Sequence, residues 1–151
     1  MRHREKSMDA NINFTALFVG IIIAVYVVVR FRETKLERKA WAYPSLIATF
    51  PVYYWVFALY GSDLQVFYKE IWVGTIFVSL IFVSLKIKRS MGLLLLAVTC
   101  ISHAVYDVVH DELFTNSGVP SWWPEFCGSI DVLIGFYLVY LSRLRLFVLS
   151  G

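Results

Sequence analysis

Between positions 103 and 131 the chain reads HAVYDVVHDELFTNSGVPSWWPEFCGSID. His103, Asp107 and His110 stand at i, i+4 and i+7. On a helix turning about 100° per residue they fall within roughly 60° of one another, so two imidazoles and a carboxylate share one face. Cys100 lies on the same side, one turn deeper. Asp131 and Glu70 each lie about a turn into a neighbouring apolar segment, at matching depth, and Cys127 is one turn from Asp131. The expected cluster is Glu70, His103, Asp107, His110 and Asp131, with Cys127 nearby.

Two imidazoles and three carboxylates suit a divalent metal. Zinc fits, as does iron or manganese on two His and a carboxylate. Asp107-x-x-His110 also has the carboxylate-x-x-His spacing of di-metal helical bundles. His103 and His110 are about 10.5 Å apart along a helix axis, a stretch for one ion. Glu70 and Asp131 are the candidate general bases. The same groups also fit a proton relay or a polar knot between helices. No Ser/His/Asp triad can be assigned, no phosphate loop occurs, and no basic nucleic-acid surface is apparent.

Such groups need elements to carry them. The chain has 151 residues, 59% hydrophobic and 17% charged, with mean hydropathy +0.67. Soluble domains have about 25% charged residues, and here the apolar excess comes in blocks. A helix crosses a bilayer with roughly 20 mostly apolar residues. The expected fold is a single all-α membrane domain over residues 1–151. Its five transmembrane helices fall at about 12–29, 41–60, 67–85, 90–110 and 125–147. The lipid bilayer is then the one partner that composition names. A cleaved signal peptide competes for the first segment. That segment is long, lacks a small-residue cleavage site and runs straight into RFRETKLERK, so it is read as a retained span. The NFT triplet at Asn13 lies against that span and is read as incidental.

Basic residues set the expected orientation. Arg30, Arg32, Lys35, Arg38 and Lys39 lie in the first loop, Lys86, Lys88 and Arg89 in the third, and Arg143 and Arg145 near the end. The second loop offers only Lys69 and the fourth none. The first and third loops and the C-terminus are expected in the cytoplasm and the N-terminus outside, although Arg2, Arg4 and Lys6 disagree. Asp63, Glu70, Asp107, Asp111, Glu112, Glu125 and Asp131 then gather at the outer end. Within the second span, Pro44 sits in the first turn and Pro51 should kink the helix. Gly74 and Gly135 should let helices approach closely.

The connection before the last helix carries turn residues at Asn116–Gly118, stiffened by Pro120 and Pro124. Trp122 and Trp123 suit a membrane interface. With Pro124 they also form a candidate rigid lid over the acidic cluster. Cys100 and Cys127 are expected as free thiols.

The pattern H-A-x-Y-D-x-x-H followed by N-x-G-V-P-x-W-W-P-x-F-C-x-x-x-D resembles a family of small bacterial inner-membrane proteins classed as a domain of unknown function. The resemblance extends to WAYPSLIATFPVYYWVFA in the second span and to Glu70. Ala104 stands where the family pattern often has glycine, which preserves small size. The resemblance implies the architecture, the inner membrane and the residue set, but no reaction. The expected function is a metal-dependent enzyme acting on a lipid or small amphiphile. The alternatives are a proton or cation relay, a transport or sensing protein, and a structural membrane subunit.

Overall fold

A computed structural model describes residues 12–150, with backbone alone for 145–150. The basic residues Arg2, Arg4 and Lys6, the N-terminal end itself, and the side chain of Arg145 lie outside the described residues. Among those described there are six α-helices and no strand. They are α1 (Phe14–Glu33), α2 (Ala42–Ile47), α3 (Thr49–Tyr60), α4 (Leu64–Lys86), α5 (Arg89–Leu113) and α6 (Trp123–Ser150). A short 3-10 turn, Leu36–Arg38, lies between α1 and α2.

Among the described residues, five segments are long and apolar enough to cross a membrane, with α2 and α3 together forming the second. Two of them, α1 and α4, start at side-chain caps. Asn13 starts α1 because its side chain accepts the Ala16 N–H at 3.0 Å, and this gives the asparagine of the NFT triplet a structural role. Asp63 accepts the Val66 N–H at 3.0 Å, so α4 begins three residues before the expected 67. Helix α5 continues past 110 through Asp111 and Glu112, and α6 begins at Trp123, with Pro124 in its first turn where a missing N–H costs little.

The second span is interrupted at Ala48, one turn before Pro51. Proline at 51 has no N–H for the carbonyl of Ile47, and its ring crowds that carbonyl. The Thr49 hydroxyl donates to the neighbouring Leu46 carbonyl at 2.6 Å, which eases the break.

Helices α5 and α6 pack most extensively on each other; α6 also packs along α1, while α4 lies on α5 and α3 on α4. Small residues set these distances. A Cβ on Gly20 would collide with Ser129 Oγ and the Phe126 carbonyl of α6. One on Gly135 would come within 2.9 Å of Ile101 on α5, and one on Gly74 within 2.6 Å of Trp55 on α3. The expected close approaches at Gly74 and Gly135 are therefore present.

The two ends differ in charge. At one end Arg89 donates to the carbonyls of Glu37, Lys39 and Ala40 at 3.3, 2.9 and 3.0 Å, tying the third loop to the first. The Tyr137 hydroxyl reaches Glu37 there at 2.7 Å. At the opposite end the Asn13 N–H donates to Glu125 at 3.2 Å, and Gly118 lies against the Phe57 carbonyl. The basic loops thus share one end, and the polar cluster lies toward the other. Outward faces carry large apolar side chains such as Trp72, Ile76, Val108 and Phe136.

Candidate metal centre

Helix α5 buries one continuous stripe: Leu93, Leu96, Ala97, Cys100, His103, Ala104, Asp107 and His110. The stripe begins as hydrocarbon and becomes titratable over its last three turns. On α4 the buried stripe is Glu70, Gly74, Phe77, Ile81 and Ser84. On α6 it includes Cys127, Asp131, Ile134 and Leu138. The titratable ends of all three stripes meet inside the bundle, and Glu70, His103, Asp107, His110 and Asp131 are each no more than 2% exposed.

They divide into two groups. In the first, His103 Nδ1 lies 2.8 Å from Asp131 Oδ2 and 3.6 Å from Asp107 Oδ1. The Cys127 thiol points at Asp131 Oδ2 from 4.0 Å. One ligand atom from each of His103, Asp107, Cys127 and Asp131 can be chosen so that all lie within 4.8 Å of one another. The Tyr54 hydroxyl, from α3, donates to Asp107 Oδ1 at 2.6 Å. Asp107 Oδ2, Asp131 Oδ1 and His103 Nε2 are buried without a hydrogen-bond partner. Orphaned buried acceptors are rare and point to an ion or water that completes them.

In the second group, His110 Nε2 lies 2.7 Å from Glu70 Oε1. The other Glu70 oxygen accepts the Tyr106 hydroxyl at 2.7 Å. Buried Asn116 donates from Nδ2 to Glu70 Oε1 at 3.0 Å and to the Tyr54 carbonyl at 3.4 Å. Both carboxylate oxygens of Glu70 are therefore satisfied. The Tyr54 ring stands between the groups, stacked on His110 at 4.5 Å and 29° while its hydroxyl serves Asp107.

The structure thus brings all five expected residues inside, but of these only His103, Asp107 and Asp131 fall in the group that could hold a metal ion. Cys127 is the fourth member, where the sequence placed it only nearby. Glu70 and His110 pair with each other. The 7-residue offset that strained a single His103–His110 site is resolved by giving each imidazole its own carboxylate. Asp107 and His110, despite their di-metal spacing, turn to different partners.

Tyr54, Tyr106 and Asn116 were not foreseen as site residues. Tyr106 sits within the H-A-V-Y-D motif, and a buried tyrosine hydroxyl needs a partner. Nothing in the local sequence separates Tyr54 from exposed Tyr53. Asn116 reads as a turn residue, and its side chain does accept the Gly118 N–H at 3.2 Å while its amide enters the core.

Trp123 is buried against Phe57, Tyr53 and Phe126, with ring centroids 4.8–5.5 Å away. It belongs to the same apolar cluster as Tyr54, Phe77, Tyr106 and Cys127. Trp122 stays outside at 41% exposure, packed edgewise on Phe126. One tryptophan is buried and the other faces outward, while Pro124 is half-buried at the start of α6. Both cysteines are free and buried.

Three carboxylates and two imidazoles are buried together. Even with both rings protonated, one negative charge is left over, and a lone charge in an apolar interior costs several kcal/mol at least. A cation or an extra proton must compensate it. One imidazole, one thiol and two carboxylates form a borderline donor set that zinc accepts readily. No protein-family model, no curated protein and no solved structure matches this chain.

Proposed function

We propose that this chain is a multi-pass protein of the bacterial inner membrane. In this reading it holds a divalent metal on His103, Asp107, Cys127 and Asp131 and acts on a lipid or small amphiphile. One observation carries the reading. Four ligand-bearing side chains converge within 4.8 Å in a buried site, and two of their carboxylate oxygens have no donor. The thiol favours zinc over manganese, with ferrous iron the alternative. The resemblance to the small inner-membrane family is consistent with the setting. The acidic end faces outside by the distribution of basic residues, so the site lies toward that side.

When bound, such a metal supplies Lewis acidity and lowers the cost of deprotonating a coordinated water. The chain's own residues have separable tasks. Tyr54 orients Asp107 by donating to it, and Asp131 orients the His103 ring. Glu70, held by His110, Tyr106 and Asn116, is the candidate base. Trp123 and Phe57 keep lipid and bulk water from the polar cluster.

Cobalt substitution tests the ligand set. A cobalt-loaded protein should show intense d–d absorption of a four-coordinate site together with a thiolate-to-metal band. Cys127→Ser should remove the thiolate band, and Cys100→Ser should leave it. A spectrum of six-coordinate, oxygen-ligated cobalt would reject this donor set.

A further inference from the structure

A buried centre that makes or uses protons must exchange them with water, and the second hydrogen-bonded group offers the route. Among the described residues, His110 is the buried imidazole with both ring nitrogens engaged. Nε2 meets buried Glu70 at 2.7 Å, and Nδ1 lies 3.4 Å from Asp111. The Asp111 side chain is 81% exposed, while those of His110 and Glu70 are only 2% and 1% exposed. Three consecutive groups therefore run from the surface to the core. Glu70 in turn lines a narrow cleft between α3, α4 and α5 that His103 also lines. His103 has an unpartnered Nε2.

We propose that Asp111, His110 and Glu70 form a proton path between the surface at the acidic end and the cleft beside His103. The path rests on the metal reading only for what it serves.

The step balances as a shuttle. Asp111 delivers a proton to Nδ1, an N–H bond forms there, and the Nε2–H bond breaks as its proton passes to Glu70 Oε1. The ring is left neutral in its other tautomer. Passage in the opposite direction, from Glu70 to Nε2 and from Nδ1 to Asp111, restores it. Each cycle thus moves one proton in and one out, which suits a carboxyl group acting first as acid and then as base.

The surroundings hold the ring for this task. Tyr54 of α3 stacks on it at 4.5 Å, and Tyr106 of α5 and Phe114, just past the end of α5, meet it edge-on at 5.4 and 5.3 Å. The ionisable groups that face the pair are Glu70 and Asp111 on the two ring nitrogens, Tyr106 on Glu70, and Tyr54 on the ring face. The Lys69 ammonium lies 5.7 Å from the centroid of the Phe114 ring that meets His110.

A path and a static knot differ in whether His110 follows the outside solution. The test uses the full chain in nanodiscs with 15N-labelled histidine. Its three histidines, His3, His103 and His110, allow assignment by single substitution. The His110 ring signals should move as bulk pH is varied over the range in which the protein stays folded. Asp111→Asn should slow proton exchange at His110 by about a hundredfold, as expected for loss of a positioned transfer group. Glu33→Asn, at the other end, should not.

His110 signals fixed across that range, or exchange indifferent to Asp111→Asn, would overturn the path. Metal content measured on the same samples separates the two readings. Protein without metal but with Asp111-dependent exchange keeps the path and loses the metal centre, and the converse result keeps the centre alone.

Discussion

His103 and Asp131 lie 28 residues apart in sequence and 2.8 Å apart across the α5–α6 interface, both fully enclosed. Each is the other's main polar contact. Removing either leaves a buried polar group with less to compensate it. Asp131→Ala should therefore cost about 3–5 kcal/mol of stability, the usual penalty for breaking a buried pair. Thermal unfolding in detergent measures it. Asp111→Ala, at an exposed carboxylate, should be nearly neutral in the same assay.

Tyr54 hydrogen-bonds to the centre through Asp107. Tyr54→Phe keeps the ring that stacks on His110 and deletes the hydroxyl. Loss of an outer partner of this kind lowers metal affinity by about 10–100-fold. Competition with a chromophoric chelator should show that drop, with full occupancy still reached at excess metal.

Two glycines on the α1 and α6 surfaces should respond differently. A side chain at Gly20 meets Ser129 and the Phe126 backbone, so Gly20→Leu should force α1 off α6 and destabilise by at least about 1–3 kcal/mol. At Gly128 the nearest atoms to a new Cβ are the Ala104 carbonyl at 3.9 Å and Asp107 Oδ2 at 4.0 Å, ordinary contact distances. Gly128→Ala should leave the unfolding temperature nearly unchanged.

The orientation is open to a labelling experiment. Both native cysteines are buried, so background labelling should be low. Cysteine placed at exposed Ser117 should react with an impermeant maleimide from outside the cell. Cysteine at Thr34, between Arg32 and Lys35, should react only after permeabilisation. The reverse result would turn the site toward the cytoplasm.

Span number, the shared buried face of His103, Asp107 and His110, and the close approaches at Gly74 and Gly135 were legible in sequence. Hydropathy blocks and helical phase are local properties. Helix ends were less legible because caps such as Asp63 act outside the apolar count. The division of the cluster was not legible. Phase tells which way Glu70 and His110 point, but not that Asn116 returns from the loop to hold Glu70. Nor does it tell that Tyr54 stands between the imidazoles. Cys127 shared a face with Asp131 from the start, but its rank as a fourth ligand needed the distance across to Asp107 and His103.

Acidification should empty the centre, because metal ligation requires deprotonated thiol, imidazole and carboxylate groups. The sign follows directly: protons compete with the metal, so occupancy falls as pH falls and recovers on return to neutrality. A bound metal at a thousand times its dissociation constant adds about 4 kcal/mol to stability. A chelator should therefore lower the unfolding temperature of the wild type and leave that of the Asp131→Ala variant unmoved.

The most direct measurement is the elemental content of the purified chain. The protein would be produced with ample zinc, iron and manganese and never exposed to a chelator. The expected result is one equivalent of a single transition metal, zinc foremost, falling to background in Cys127→Ser/Asp131→Asn. Wild-type protein that folds, stays monodisperse and carries no stoichiometric metal would contradict the metal centre.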